Sequence, residues 1–143
     1  MTTIAYIRVS SNKQSLEYQH FEIENFALKK GIKIDMWIEE KISSRKALEN
    51  RKLGELLDNL QENDVLISCE ISRLGRSLLE VMRILETCLN KNCQVWTLKE
   101  NYRLGNDIQS TVLAFAFGFW WKAVLGSKVT FYHLDLFFHC QHF

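Results

Sequence analysis

The chain has 143 residues, 47% of them hydrophobic and 24% charged, which fits one folded domain and excludes a disordered protein. Lys and Arg number 18 against 17 Asp and Glu, a net charge of +1. That balance excludes a histone-like or tail-driven DNA binder, so any anion chemistry must come from local clustering. Met1 to Tyr6 lacks the basic and apolar regions of a secretion signal, and a cytoplasmic chain is expected. The four cysteines (Cys69, Cys88, Cys93 and Cys140) have no CxxC spacing and read as buried or free thiols rather than zinc ligands.

Strands and helices alternate along the first part of the chain. Thr3–Val9 (TIAYIRV) is short, apolar and β-branched, the pattern of a buried strand. Ser15 can cap a helix whose inner face uses Leu16, Ile23, Phe26 and Ala27 and which stops at Gly31. Lys33–Ile38 alternates and predicts a second strand, and the polar run Glu40–Asn50 predicts a mobile loop. Arg51–Leu60 predicts a short helix with Leu53, Leu56, Leu57 and Leu60 inward. Asp64–Cys69 reads as a third strand and Ser77–Lys91 as a helix with Leu78, Met82, Leu85 and Leu89 on one stripe. Gln94–Leu98 reads as a fourth strand, and a further helix begins with Asp107 as cap and runs into Thr111–Gly118. This order predicts an α/β fold: an open, mostly parallel sheet of four or five strands with helices on both faces. The functional crevice of such a sheet lies at the carboxyl ends of its strands.

The composition breaks late. Residues 119–143 hold Phe119, Trp120, Trp121, Phe131, Tyr132, Phe137, Phe138 and Phe143, but only three charged residues, Lys122, Lys128 and Asp135. The uncharged run from Ile108 to Lys122 is shorter than the roughly 18 apolar residues a membrane span needs, so no membrane contact is expected.

Polar residues gather at the predicted strand ends. The first strand runs out through Arg8, Val9 and Ser10, and alternation puts Arg8 and Ser10 on one side. The third runs out into Ile71–Ser77 (ISRLGRS), where Arg73 and Arg76 are three apart and one helical turn would aim both alike. A hydroxyl beside converging arginines suits phosphoryl transfer, because guanidinium forks bind phosphate oxygens and neutralise growing charge. From the residues alone, Arg73 and Arg76 could equally solvate a loop and cap a helix. No phosphate-binding glycine loop is present, and a Ser-His-Asp triad would need a histidine near Ser10, where only His20 stands, on a helix face.

Three segments carry a resemblance. Ile4–Gln19 (IAYIRVSSNKQSLEYQ) resembles the opening of the serine recombinases, the resolvases and DNA invertases, and its flavour is that of the invertase branch. Ile71–Ser77 resembles that family's arginine motif. Between them, Glu40-Lys41-Ile42-Ser43 followed by Arg51-Lys52-Leu53 resembles its mobile active-site loop. The resemblance covers roughly Met1 to Gly118 and implies site-specific DNA recombination through a 5′-phosphoserine intermediate.

Carried over by position, Ser10 matches the nucleophile, Arg8, Arg73 and Arg76 match the residues around the scissile phosphate, and Arg51 matches the catalytic arginine of the mobile loop. Gln14, Gln19, Ser43 and Ser72 match supporting positions, Ser72 standing where many relatives carry an acidic residue. The resemblance implies DNA as partner, a homodimer and a synaptic tetramer, and neither metal nor other cofactor. It also implies a long helix from Asp107, of which only the start is matched, and a following helix-turn-helix domain, which residues 119–143 do not match. A frameshift or truncation after Gly118 is therefore expected, with impaired activity. The alternative is a non-catalytic remnant that associates with intact recombinase subunits.

Overall fold

A strand buried on both faces needs a cover on each side, and β1 (Thr3–Val9) is buried along all seven of its residues. In a computed structural model of the chain, which describes residues 1–10, 13–42, 47–75 and 77–104, that cover comes from helices on opposite faces of one sheet. On one face Ala5, Ile7 and Val9 meet Ile23 of α1 (Lys13–Lys30), with Val65, Ile67 and Cys69 beside them. On the other, α2 (Lys52–Asn59) contributes buried Leu53, Leu56 and Leu57, and α4 (Leu78–Asn90) contributes Val81, Ile84, Leu85 and Cys88. A one-turn α3 (Ile71–Leu74) precedes α4.

The remaining strands are β2 (Met36–Lys41), β3 (Val65–Ser68), β4 (Gln94–Thr97) and β5 (Tyr102–Leu104). The sheet order is β2-β1-β3-β4-β5, with the first four strands parallel and β5 antiparallel to β4. This is the open, mostly parallel α/β sheet that the sequence predicts. The turn into β5 places Asn101 at φ 56°, a left-handed position that asparagine tolerates well.

Local chemistry fixes the element ends. α1 closes on Gly31 at φ 65°, with Gly31 N–H on the Leu28 carbonyl at 3.2 Å and Ile32 N–H on the Ala27 carbonyl at 3.0 Å. Ser15 lies inside α1 rather than capping it, and its hydroxyl oxygen accepts from Gln19 Nε2. Ser77 does cap α4, accepting from Glu80 N–H at 3.2 Å. At the other end of α4, Lys91 Nζ donates to the carbonyls of Leu57 and Asp58 and so closes α2.

Two expectations shift. β2 starts at Met36, not Lys33, and continues through Glu40 and Lys41 where a loop was expected. Thr3 and Asp35 set this register: Thr3 N–H donates to Asp35 Oδ2 at 2.9 Å and Asp35 N–H to the Thr3 carbonyl at 2.8 Å, which brings Ile4 opposite Met36. The buried face of α4 is also rotated from the predicted stripe. Val81, Ile84 and Cys88 are buried beside Leu85, whereas Met82 is half-buried and Leu89 is 36% exposed. The side chain of Leu78 lies outside the described residues, as do Cys140, the expected helix from Asp107 and the whole of 119–143. The described cysteines, Cys69, Cys88 and Cys93, are buried free thiols. Among the described residues no helix is long and apolar enough to cross a membrane.

Candidate active site

The chain leaves β1 toward β2 on one side and returns to β3 on the other, so the connections diverge between β1 and β3. In open α/β sheets, ligands bind beyond the carboxyl ends of the strands at such a point. Ser10, exposed, follows β1 directly, and Cys69 to Arg73 follow β3. The fold thus brings two segments far apart in sequence to one place.

Arg8 joins them. Its side chain is buried, Nε donating to the Arg73 carbonyl at 3.1 Å and Nη2 to the Ser72 carbonyl at 2.7 Å. The Arg8 carbonyl in turn accepts from Gln19 Nε2 at 3.2 Å, which anchors α1 on the end of β1. Gln19 is 2% exposed, and its Oε1 is buried with no hydrogen-bond partner among the described residues. Arg8 and Gln19 therefore fix the backbone that leads into Ser10.

Arg51 caps the start of α2 and is 3% exposed. Its Nη1 donates to Glu80 Oε1 at 2.7 Å, and Nη2 donates to the Tyr6 hydroxyl and the Leu74 carbonyl, each at 2.9 Å. Nε faces Glu40 Oε2 at 3.5 Å, while the Tyr6 hydroxyl donates to the same oxygen at 3.0 Å and Leu53 N–H to Glu40 Oε1 at 3.0 Å. The guanidinium is thus spent on α4, β1, β2 and the backbone just after Arg73.

Arg73 lies in α3, partly exposed, with Nε 3.1 Å from Glu70 Oε1. That contact is electrostatic: the Nε–H is not aligned on the oxygen and makes no hydrogen bond. α3 stops at Gly75, whose backbone is extended at φ −142°. Ser72 is exposed, and Gln14 is exposed in the first turn of α1. Arg76 and Ser43 lie outside the described residues.

A family model described as "Resolvase, N terminal domain" matches residues 3–119. The chain belongs to that family. Among curated resolvases, the Transposon Tn2501 resolvase of Escherichia coli is 36% identical over 95 residues, covering 66% of this chain and 48% of that protein. The Transposon Tn1546 resolvase of Enterococcus faecium is 28% identical over 102 residues, covering 71% of this chain and 50% of that one. This chain therefore spans about half the length of the curated relatives it matches. The fold is shared with the N-terminal catalytic domain of TP901-1 integrase, at TM-score 0.69 and 16% identity, covering 89% of this chain and 100% of that one. It is shared also with a resolvase family site-specific recombinase from Streptococcus pneumoniae, at TM-score 0.62 and 15% identity, covering 99% and 97%. The chain is a serine recombinase N-terminal domain.

In this resolvase domain the buried arginines shift in opposite directions. Arg8 is held below its ordinary range by burial first, then by the nearby cations Arg51 and Arg73. Arg51 goes the other way: burial works against its charge, but Tyr6, Glu40 and Glu80 together outweigh it. Tyr6 is raised, chiefly by burial, and stays a neutral hydroxyl. Cys69 is also pushed up by burial, to about 12, which removes it as a competing thiolate nucleophile.

The sequence alone points to no role for Tyr6, Glu40, Glu70, Glu80 or Lys99. Tyr6 and Glu40 stand inside motifs that carried the resemblance, so their place in the pattern was a usable signal. Glu70, Glu80 and Lys99 are single charges in polar turns or at a helix start, and only the fold gives them partners.

Proposed function

We propose that the chain carries the catalytic chemistry of site-specific DNA recombination, with Ser10 as nucleophile. Ser10 Oγ attacks a backbone phosphorus, forming a 5′-phosphoserine ester, while the 3′-oxygen leaves and takes up a proton as a 3′-hydroxyl. One phosphoester replaces another, so attack by a 3′-hydroxyl reseals the strand without an outside energy source. Arg73 and Arg76 supply charge to the non-bridging oxygens, and Arg8 and Arg51 hold the segment that carries them. Gln14, Ser43 and Ser72 support the same site. The observation that carries this reading is the bonding of Arg8 to the carbonyls of Ser72 and Arg73, which ties the serine-bearing strand end to the arginine motif.

The test grafts residues 1–118 onto the remaining length of the Tn2501 resolvase and supplies that resolvase's own DNA site. Protein-linked DNA should form on incubation and vanish with Ser10→Ala, while the circular dichroism spectrum stays unchanged. Linkage that survives Ser10→Ala overturns the assignment. The low charge and aromatic load of residues 119–143 favour a second reading, a partner that pairs with intact subunits without cutting DNA. If the graft forms the adduct and the 143-residue chain does not, the second reading describes the chain as it stands.

A further inference from the structure

Glu70 occupies the turn between β3 and α3, and its main chain is fixed from both sides. Its carbonyl accepts Arg73 N–H at 3.1 Å and the Ser68 hydroxyl at 3.3 Å. Its carboxylate spans two cations: Oε1 lies 3.1 Å from Arg73 Nε, and Oε2 accepts from Lys99 Nζ at 2.9 Å. Lys99 is itself placed by its backbone, because its N–H donates to the Cys69 carbonyl at 2.8 Å. The next residue, Glu100, accepts Ile71 N–H on Oε1 at 3.3 Å. The turn after β4 thereby holds the turn after β3.

Arg73 needs such a hold. A cavity of about 400 Å³ opens beside it among Tyr18, Gln19, Leu98 and Lys99, room enough for a long side chain to change rotamer. Glu70 meets the guanidinium at Nε. Among the described residues the two terminal nitrogens have no hydrogen-bond partner and stay available to an anion.

We propose that Glu70, braced by Lys99, is a positioning residue that aims the terminal nitrogens of Arg73 at the phosphodiester. This rests on the reading of Arg73 as a phosphate-binding group and adds the residue that orients it. The role opposes what charge alone would do. A carboxylate beside an anion site repels the anion, so removing its charge should tighten binding unless its placement of Arg73 matters more. Glu70 is also held below the ordinary carboxylate range: burial pushes upward, but Lys99, Ser72 and Arg73 together outweigh it.

The experiment uses the 143-residue chain labelled with 15N-arginine, with dimethyl phosphate as the phosphodiester probe. Without probe, the parent should show separate Arg73 Nη signals because rotation of a held guanidinium is slow. Those signals should merge in both Glu70→Gln and Glu70→Asp, the second of which keeps the charge and only shortens the reach. Dimethyl phosphate should then bind both variants about three- to fivefold more weakly than the parent, the worth of one partly exposed ion pair. Tighter binding by Glu70→Gln with unchanged binding by Glu70→Asp overturns the proposal and leaves Glu70 as a mere competing charge. If the probe leaves Arg73 unmoved even in the parent, the phosphate reading fails. The Nη signals then decide positioning alone: merging in the variants supports it, and no change overturns it.

Discussion

Arg51 shows how far a residue's surroundings can redefine its part. A mobile-loop arginine in contact with DNA would be solvated in the free protein, but here the side chain is 1% exposed and meets Glu40, Glu80, Tyr6 and Leu74. Glu40 is equally buried, so removing its cation leaves a carboxylate with neither water nor counterion. Arg51→Ala should cost about 3–5 kcal/mol in urea unfolding followed by tryptophan fluorescence. Adding Glu40→Gln to that variant should recover part of the loss, and equal stability of parent and Arg51→Ala would refute the network's importance. At Arg73 the expectation is catalytic rather than structural. Lysine keeps the charge but not the planar fork, so Arg73→Lys in the grafted protein should slow covalent attachment by ~10²–10³ with little change in stability. Attachment at the parent rate would make Arg73 a solvating residue.

Between elements, a tight contact lies at Gly75, where α3 ends and the chain turns toward α4. A Cβ placed there would lie 3.0 Å from Val81 Cγ2 and 3.1 Å from the Val81 backbone nitrogen, and a backbone atom cannot swing aside. Gly75→Ala should therefore push the start of α4 away and destabilise by about 1–3 kcal/mol, read as a lowered midpoint in the same urea experiment. An unchanged midpoint would mean that α4 yields freely. The positions of β1, α2, β3 and β4 were legible because each is a short apolar run closed by polar turns. β2 was legible only over Met36–Ile38, because Glu40-Lys41 reads as a loop until the cation 11 residues beyond Glu40 is known to meet it. The α4 stripe was ambiguous for a different reason: both 78, 82, 85, 89 and 81, 84, 85, 88 obey helical spacing, and only the sheet beneath chooses. At the site, Ser10, Arg8 and Arg73 were legible as motif positions. The orientation of Arg8 onto the backbone, and the pairing of Glu70 with Lys99, depend on strands that are adjacent only after folding.

For the whole molecule, charge sets the grip on nucleic acid. With a net charge of +1 and much of the crevice's arginine charge paired internally, the 143-residue chain can neutralise few phosphates at once. It should bind duplex DNA without sequence preference at a Kd of ~10⁻⁴–10⁻⁶ M, weakening with added salt. A gel shift with a random duplex pool and a single resolvase site checks this, and nanomolar selective binding would contradict it.

The span between Arg8 and its two carbonyl partners, 64 and 65 residues along the chain, also sets a timetable. Synthesis delivers the N-terminal strand first, and a nascent chain folds as its partners emerge. Ser10 is thus made early, but its neighbour Arg8 cannot take up its bonds until the segment after β3 has left the ribosome. A polypeptide arrested before that point carries the serine without the bonds that join its strand end to the segment after β3.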